Sequence, residues 1–252
     1  MEWAVELRGV SKRFLVRRNP AHSLKIRAIG LFHARYRERR EELWAVRDVD
    51  LAIRPGECLG LIGPNGSGKS TLLRLMAGIF PPTGGTVTTR GRVAAIIELG
   101  LGFHPDLTGR ENIYLSTSLY SLSSRDTDAI YEDIVRFAEL EEFIDLPIKN
   151  YSAGMSARLG FSIAAHLEPD VMLVDEVLAV GDERFQQKCI ERMQESRRRG
   201  TTIVLVSHAT GLVERLADRA CLLLRGRLEA DGEPAKVVAR YREALGIGPP
   251  PG

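Results

Sequence analysis

The sequence predicts an α/β domain built on a mostly parallel sheet with helices on both faces. Three observations carry this. ECLGLI, VMLVDE and TTIVLVSH are short, unbroken apolar runs, the pattern of strands buried on both sides. The first two are followed by helix-type patterns, STLLRLMAGIF and ERFQQKCIERMQESRRR, so strands alternate with helices. A glycine-rich stretch, GPNGSGKST, joins the first run directly to its helix.

In chain order, WAVELRGVSKRF opens as a strand and a basic block then interrupts it. WAVRDVDLAI alternates in period two and reads as a second strand, ahead of ECLGLI. After STLLRLMAGIF comes a PPTGG turn, then TVTTRGRVAAIIEL as two strands around a turn. Residues 109–146 read as mostly helical, with DAIYEDIVRFAEL the clearest amphipathic case. KNYSAGMSARLG is a small, polar turn that opens a further helix, SARLGFSIAAHL. This helical middle is inserted between two core strands. VMLVDE and TTIVLVSH follow, RACLLLRGRLEADG forms a hairpin with Arg-Gly at its turn, and PAKVVARYREAL closes as a helix. A single domain is expected over 1–246, with a frayed tail at 247–252. Its parts are a β-rich unit 1–62 with a basic insertion 15–43, a core 63–98 and 168–230, and a helical unit 99–167.

At 252 residues, 44% hydrophobic and 27% charged, the composition is that of a globular protein. Cys58, Cys189 and Cys221 are far apart and make no CxxC spacing, which argues against a disulfide framework or zinc site and fits a reducing cytosol. The N-terminus lacks the basic and apolar regions of a signal peptide. No apolar run approaches the roughly 18 residues that span a bilayer. The chain is therefore expected not to cross a membrane by itself, while remaining able to bind a protein that does.

The net charge of +2 is uneven. Residues 12–40 hold ten Lys and Arg against one acid, Glu38, so this block is +9 and the remainder −7. The block reads either as a solvated loop and helix or as a surface facing phosphate-rich lipid or an acidic partner.

GPNGSGKST, Gly63 to Thr71, fits the G-x-x-x-x-G-K-[ST] phosphate loop and has the required strand before it and helix after it. Gly63, Pro64, Asn65, Gly66, Ser67 and Gly68 form a loop whose N–H groups wrap phosphate oxygens, aided by the helix N-terminus. Lys69 is expected to reach β- and γ-phosphates, Ser70 to offer its hydroxyl to Mg²⁺, and Thr71 completes the motif. VMLVDE delivers Asp175 at a strand end, suited to the Mg²⁺ shell. Glu176 follows, placed to polarise water against the γ-phosphate. The other reading of this acidic pair is a cap on a neighbouring helix. His208, ending TTIVLVSH, is either structural or a contact for the γ-phosphate or the attacking water.

GPNGSGKST, YSAGM, VMLVDE, VGD and VSH occur in the order found in ATP-binding cassette (ABC) ATPases, and the chain resembles that family over roughly residues 4–242. The resemblance implies a P-loop NTPase fold with a RecA-like core, an antiparallel β subdomain and an inserted α-helical subdomain. YSAGM falls where the family carries a signature, usually LSGGQ. Tyr151, Ala153 and Met155 depart from that pattern; Ser152 and Gly154 keep the hydroxyl and the close backbone that a phosphate contact needs. In such ATPases the signature covers ATP held by the P-loop of a partner, which implies a head-to-tail dimer with two nucleotides at the interface. Asp182 matches the aspartate of the loop between the two sites. Glu98 stands where the family has a Gln that senses Mg²⁺ and contacts the membrane partner; a carboxylate still serves Mg²⁺ but adds a charge. The family's adenine-stacking aromatic matches Phe14 on one side of the insertion and Trp44 on the other, with Phe14 preferred.

IELGLGFHPDLTGREN, FIDLPIKNYSAGM and DEVLAVGDERFQQKC look like the ATPase subunits of bacterial polysaccharide exporters, which move lipid-linked O-antigen, teichoic acid or capsule-type polymers. That resemblance implies a peripheral subunit at the cytoplasmic face of the inner membrane. It would bind and hydrolyse ATP, pair with a second copy and drive a polytopic permease, with no nucleic-acid partner. Glu98 and the basic insertion resemble that subgroup too, and the insertion is placed to approach a lipid-linked glycan headgroup. The chain is expected to lack the C-terminal carbohydrate-binding domain that some members add. An ABC exporter of another lipid or small molecule is the alternative. A soluble ABC ATPase acting on ribosomes or DNA fits poorly, because the chain has one intact cassette and no heptad run.

Overall fold

The computed structural model describes residues 2–18, 39–97, 102–175 and 181–246. Two sheets form among them. Strands β1 (Val5–Arg18), β2 (Arg39–Ile53) and β4 (Gly84–Thr89) make an antiparallel sheet in the order β2-β1-β4. Strands β3 (Cys58–Ile62), β5 (Val93–Ile96), β6 (Val171–Asp175), β7 (Thr202–Val206), β8 (Arg219–Leu224) and β9 (Arg227–Gly232) make the second, ordered β5-β6-β7-β3-β8-β9. The first five of these in spatial order pair parallel, and β9 returns antiparallel on β8.

The unbroken apolar runs are explained by which layer each side chain enters. Val171 and Leu173 of β6, and Val204 and Val206 of β7, join the cluster shared with the antiparallel sheet. Met172 and Val174, with Ile203 and Leu205, join the cluster on the opposite face. Alternate residues thus enter different layers, and none faces water.

The helices are α1 (Lys69–Met76), α2 (Gly109–Leu119), α3 (Ser124–Ala138), α4 (Ala153–His166), α5 (Glu183–Arg198), α6 (Thr210–Leu216) and α7 (Pro234–Ala244). Helices α2, α3 and α4 lie between β5 and β6 in the chain, and those two strands pair with each other in parallel. The helical middle is therefore an insertion between core strands, with its own apolar cluster around Ile113, Ile134, Leu159 and Ile163.

The β-rich unit differs from the sequence expectation in two respects. The basic insertion, expected over 15–43, does not break the strands at its edges. β1 runs on to Arg18 and β2 starts at Arg39, paired Arg17↔Arg40 and Arg18↔Arg39. The ladder continues although like charges directly opposite each other are unfavourable, because the bonds that make it come from the backbone. The strands TVTT and VAAI also separate: β4 pairs with β1, and β5 enters the parallel sheet. The hairpin turn lies at Arg225 and Gly226, with φ of 48° and 81°, the two positive values of a type I′ turn.

Candidate nucleotide site

The phosphate loop leaves the C-terminal end of the central strand β3. Its neighbours are β7 on one side and β8 on the other, and β6 lies beyond β7, so Gly63 after β3, Ser207 after β7 and Asp175 at the end of β6 mark the ends of three consecutive strands. This is the edge at which parallel α/β sheets present ligands.

Two glycines show why the loop is made as it is. Gly68 has φ of 108° and N-caps α1, and a Cβ there would overlap the Ala45 carbonyl oxygen. Gly63 has φ of 151°, and a Cβ there would overlap the Leu223 carbonyl oxygen. The loop is therefore clamped between β2 and β8. The clamp is completed by backbone bonds: Gly226 N donates to Ser67 O at 2.9 Å, and Arg47 N donates to Gly226 O at 2.7 Å.

Lys69 is buried, with 4% of its surface exposed. Its Nζ donates to Gly63 O at 2.8 Å and Pro64 O at 3.1 Å, so the ammonium lies inside the arch of the loop. Ser67 is also buried, and its Oγ has no hydrogen-bond partner among the described residues. A buried, unpartnered hydroxyl is costly unless something else satisfies it. Together with a buried cation and the backbone of a helix start, it makes an arch that fits an anionic phosphate. Ser70 and Thr71 follow in the first turn of α1, half-buried, and Asn65 and Gly66 are exposed at the mouth.

Asp175 closes β6 and pairs with Val206. Ser207 is buried and its Oγ accepts from Ala209 N at 3.1 Å, a tight turn that leaves His208 exposed at the end of β7. Glu98 and Glu176 lie outside the described residues. No group of three His, Cys, Asp or Glu side chains placed for a metal occurs among the described residues. A Mg²⁺ site built from Ser70, Asp175, phosphate and water needs no such group.

The aromatic candidates lie on neighbouring strands. Phe14 pairs with Leu43, and Arg13 with Trp44. The Phe14 ring meets Phe80 edge-on, with centroids 5.6 Å apart, and Lys12 Nζ stands 5.2 Å from its centre. Trp44 carries Arg13 over its ring and directly precedes Ala45, whose carbonyl abuts the phosphate loop.

The YSAGM segment starts α4. Ser152 is the N-cap, and its Oγ accepts from Met155 N at 3.1 Å. The sequence assigns this hydroxyl to phosphate alone; in the structure its oxygen also caps the helix, leaving the O–H to donate outward. Ser152 and Ala153 are exposed, while Met155 packs into the helical cluster. Tyr151 donates to Phe143 O at 2.8 Å, and burial pushes its hydroxyl up to about 12. Gly154 has no fold-imposed need to be glycine. A Cβ there would meet only Ser152 Oγ, at 3.7 Å.

Asp182 N-caps α5. Its Oδ1 accepts from Phe185 N at 2.9 Å, and its Oδ2 pairs with Arg158 at 3.1 Å. The Phe185 N–H first, and then the Arg158 charge, hold its carboxyl below the ordinary range. The Arg158 contact is not legible from motif spacing. Nor is Asn112, wholly buried, whose amide bonds four groups of the His104–Thr108 loop.

Comparison with known proteins decides the family. The ABC transporter family model matches residues 46–179, from β2 past the acidic strand β6. The chain belongs to the ABC transporter family. This cassette is 49% identical over 201 residues to an O-antigen export system ATP-binding protein of Klebsiella pneumoniae, covering 80% of this chain and 82% of the relative. It is 44% identical over 238 residues to an ABC transporter protein of Aeromonas salmonicida, covering 94% and 75%. It is 40% identical over 239 residues to a teichoic acids export ATP-binding protein of Listeria innocua, covering 95% and 70%. Among solved structures, a dimeric ATP-binding cassette in a post-hydrolysis state with ADP and Pi superposes with a TM-score of 0.73 at 22% identity, covering 91% of this chain and 98% of that one. An ATP-binding subunit of an ABC transporter gives 0.75 at 23%, covering 97% and 94%. Both likenesses confirm the cassette fold expected from the sequence.

Proposed function

We propose that this chain is the ATP-hydrolysing subunit that powers export of a lipid-linked polysaccharide through a separate transmembrane protein. The relatives named for O-antigen and teichoic acid export support the substrate class. No helix among the described residues is long and apolar enough to cross a membrane, which fits a subunit that works on a membrane partner at the cytoplasmic face.

ATP binds with its phosphates in the arch of Gly63 to Thr71. Lys69 turns from its own loop carbonyls to the β- and γ-phosphates, and the N–H groups of Gly66 and Gly68 hold the remaining oxygens. Ser70 and Asp175, with Glu98, would hold Mg²⁺, which would supply charge neutralisation on the phosphates. Glu176 orients water for in-line attack, and His208 holds the γ-phosphate. Phe14 stacks on adenine, with Trp44 the alternative.

The other wall comes from a second copy, whose Ser152, Ala153, Gly154 and Met155 cover the phosphate while Asp182 lines the passage between the sites. The observation that carries this is Gly154. Glycine is a poorer helix former than alanine, and a Cβ on Gly154 would make only an ordinary contact, with Ser152 Oγ at 3.7 Å. The fold does not ask for it; a ligand that must come close to the helix start does.

Expression in a cell that exports such a polymer tests the function. Replacing the native subunit with this chain and its cognate permease should restore surface polymer, and Lys69→Ala should abolish it. ATPase stimulated by another lipid, with no polymer at the surface, would establish the alternative exporter. Charge reversal of Arg17, Arg18, Arg37, Arg39 and Arg40 with export intact would remove the headgroup role of the insertion.

A further inference from the structure

We propose that Arg158 is a positioning residue that ties the start of α4 to Asp182, so that both are presented to the partner copy as one unit. This rests on the shared-site reading above. Arg158 lies four residues beyond Gly154, on the same face of α4. Its guanidinium forks: Nη1 bonds Glu139 Oε2 at 3.1 Å and Nη2 bonds Asp182 Oδ2 at 3.1 Å. The Arg158 Cζ lies over the Phe185 ring, 5.0 Å from its centre.

The network closes on itself. Glu139 caps the end of α3 in a left-handed conformation, with φ of 57°. Its other oxygen accepts from Lys188 Nζ at 3.1 Å, and Lys188 also donates to Phe137 O at 2.9 Å. Charges therefore alternate along Asp182, Arg158, Glu139 and Lys188. Both ends lie on α5 and the middle lies on the helical insertion.

Packing shows why this link is placed where it is. The C-terminal half of α4 shares a cluster with α5 through Phe161, Ala164, Ala165, Phe185 and Cys189. The other face of α4, with Met155, Leu159 and Ile163, turns into the separate cluster of the helical insertion. Arg158 carries the α4–α5 contact one turn beyond that apolar seam, to the end that holds Ser152 and Gly154. The Asp182 side chain is 65% exposed, so water screens the pair and it adds little to stability. What the fork contributes is direction, because a planar guanidinium fixes two carboxylates relative to each other in a way a lysine does not.

The test uses the full chain in a Glu176→Gln background, with ATP-driven dimerisation followed by sedimentation. Binding of fluorescent mant-ATP to dilute monomer reports on the chain's own phosphate loop. Arg158→Met should weaken dimerisation by about tenfold, with monomer nucleotide affinity changed by less than about twofold. Asp182→Asn keeps an N-cap and should weaken dimerisation similarly, and Arg158→Lys, which keeps the charge but loses the fork, should do so too and decides the matter should Arg158→Met not fold. The double variant should be no weaker than the weaker single. Dimerisation of Arg158→Met or Asp182→Asn equal to the parent overturns the proposal, as does a double-variant loss equal to the product of the singles. A parent that forms no ATP-driven dimer overturns the shared-site reading, and this inference with it.

Discussion

A Cβ on Gly68 would run into the Ala45 carbonyl, whereas a Cβ on Gly154 would meet only the edge of Ser152. The two glycines should therefore fail differently. Gly68→Ala should lower stability by about 1–3 kcal/mol, since its φ of 108° suits glycine, and it should lose nucleotide binding as well. Gly154→Ala should melt at the same temperature as the parent or higher, while dimer-dependent ATP turnover falls. Calorimetry with a steady-state ATPase assay separates them; a destabilised Gly154→Ala would show that the fold, not a ligand, requires that glycine. Lys69→Ala should raise the ATP dissociation constant by at least about tenfold, measured by titration, and unchanged affinity would contradict the phosphate assignment. The phosphate loop was legible from sequence because its chemistry needs fixed residue types at fixed spacing. The double duty of Ser152 and the Arg158 contact of Asp182 were not, because both depend on which helix ends meet in space.

Helices α2 and α3 both open with capping boxes. Thr108 Oγ1 accepts from Glu111 N at 3.1 Å while Glu111 Oε2 accepts from Thr108 N at 2.8 Å, and Ser123 and Asp126 repeat the arrangement. Those bonds hold the carboxyls of Glu111 and Asp126 below their ordinary values of 4.5 and 3.8. A lowered folded-state value means the caps stabilise above the ordinary carboxylate range and lose that contribution as pH falls through the folded values. Glu111→Gln with Asp126→Asn removes both titrating groups. Its far-ultraviolet dichroism should fall less steeply below pH 4.5 than that of the parent; an identical acid limb would remove the caps from acid stability. The Thr-x-x-Glu spacing in LTGRE signals this cap. The length of β1 and β2 was hidden, since arginines at 17, 18, 39 and 40 read as a break, yet the backbone ladder runs through them.

Across the whole molecule, the parallel sheet was the most legible feature, because strands buried on both sides announce themselves as apolar runs. How the helical insertion meets the core was not legible, since no single segment records a contact between α4 and α5. The three cysteines report on the integrity of that assembly. All are free and buried, and burial pushes the thiols of Cys58 and Cys189 up to about 12 and that of Cys221 higher still. Native protein at neutral pH should leave all three unmodified by a thiol-specific disulfide reagent, and all three should react once it is unfolded. Rapid native labelling would contradict this packing. The sharing of each ATP between two copies is tested most directly by mixing two inactive variants, Lys69→Ala and Gly154→Asp. A mixed dimer contains one intact site, made from the phosphate loop of the second chain and the signature of the first. ATP turnover should therefore reappear on mixing, although neither variant turns over alone; a mixture as inactive as its components would place the whole site within one chain and contradict the shared arrangement.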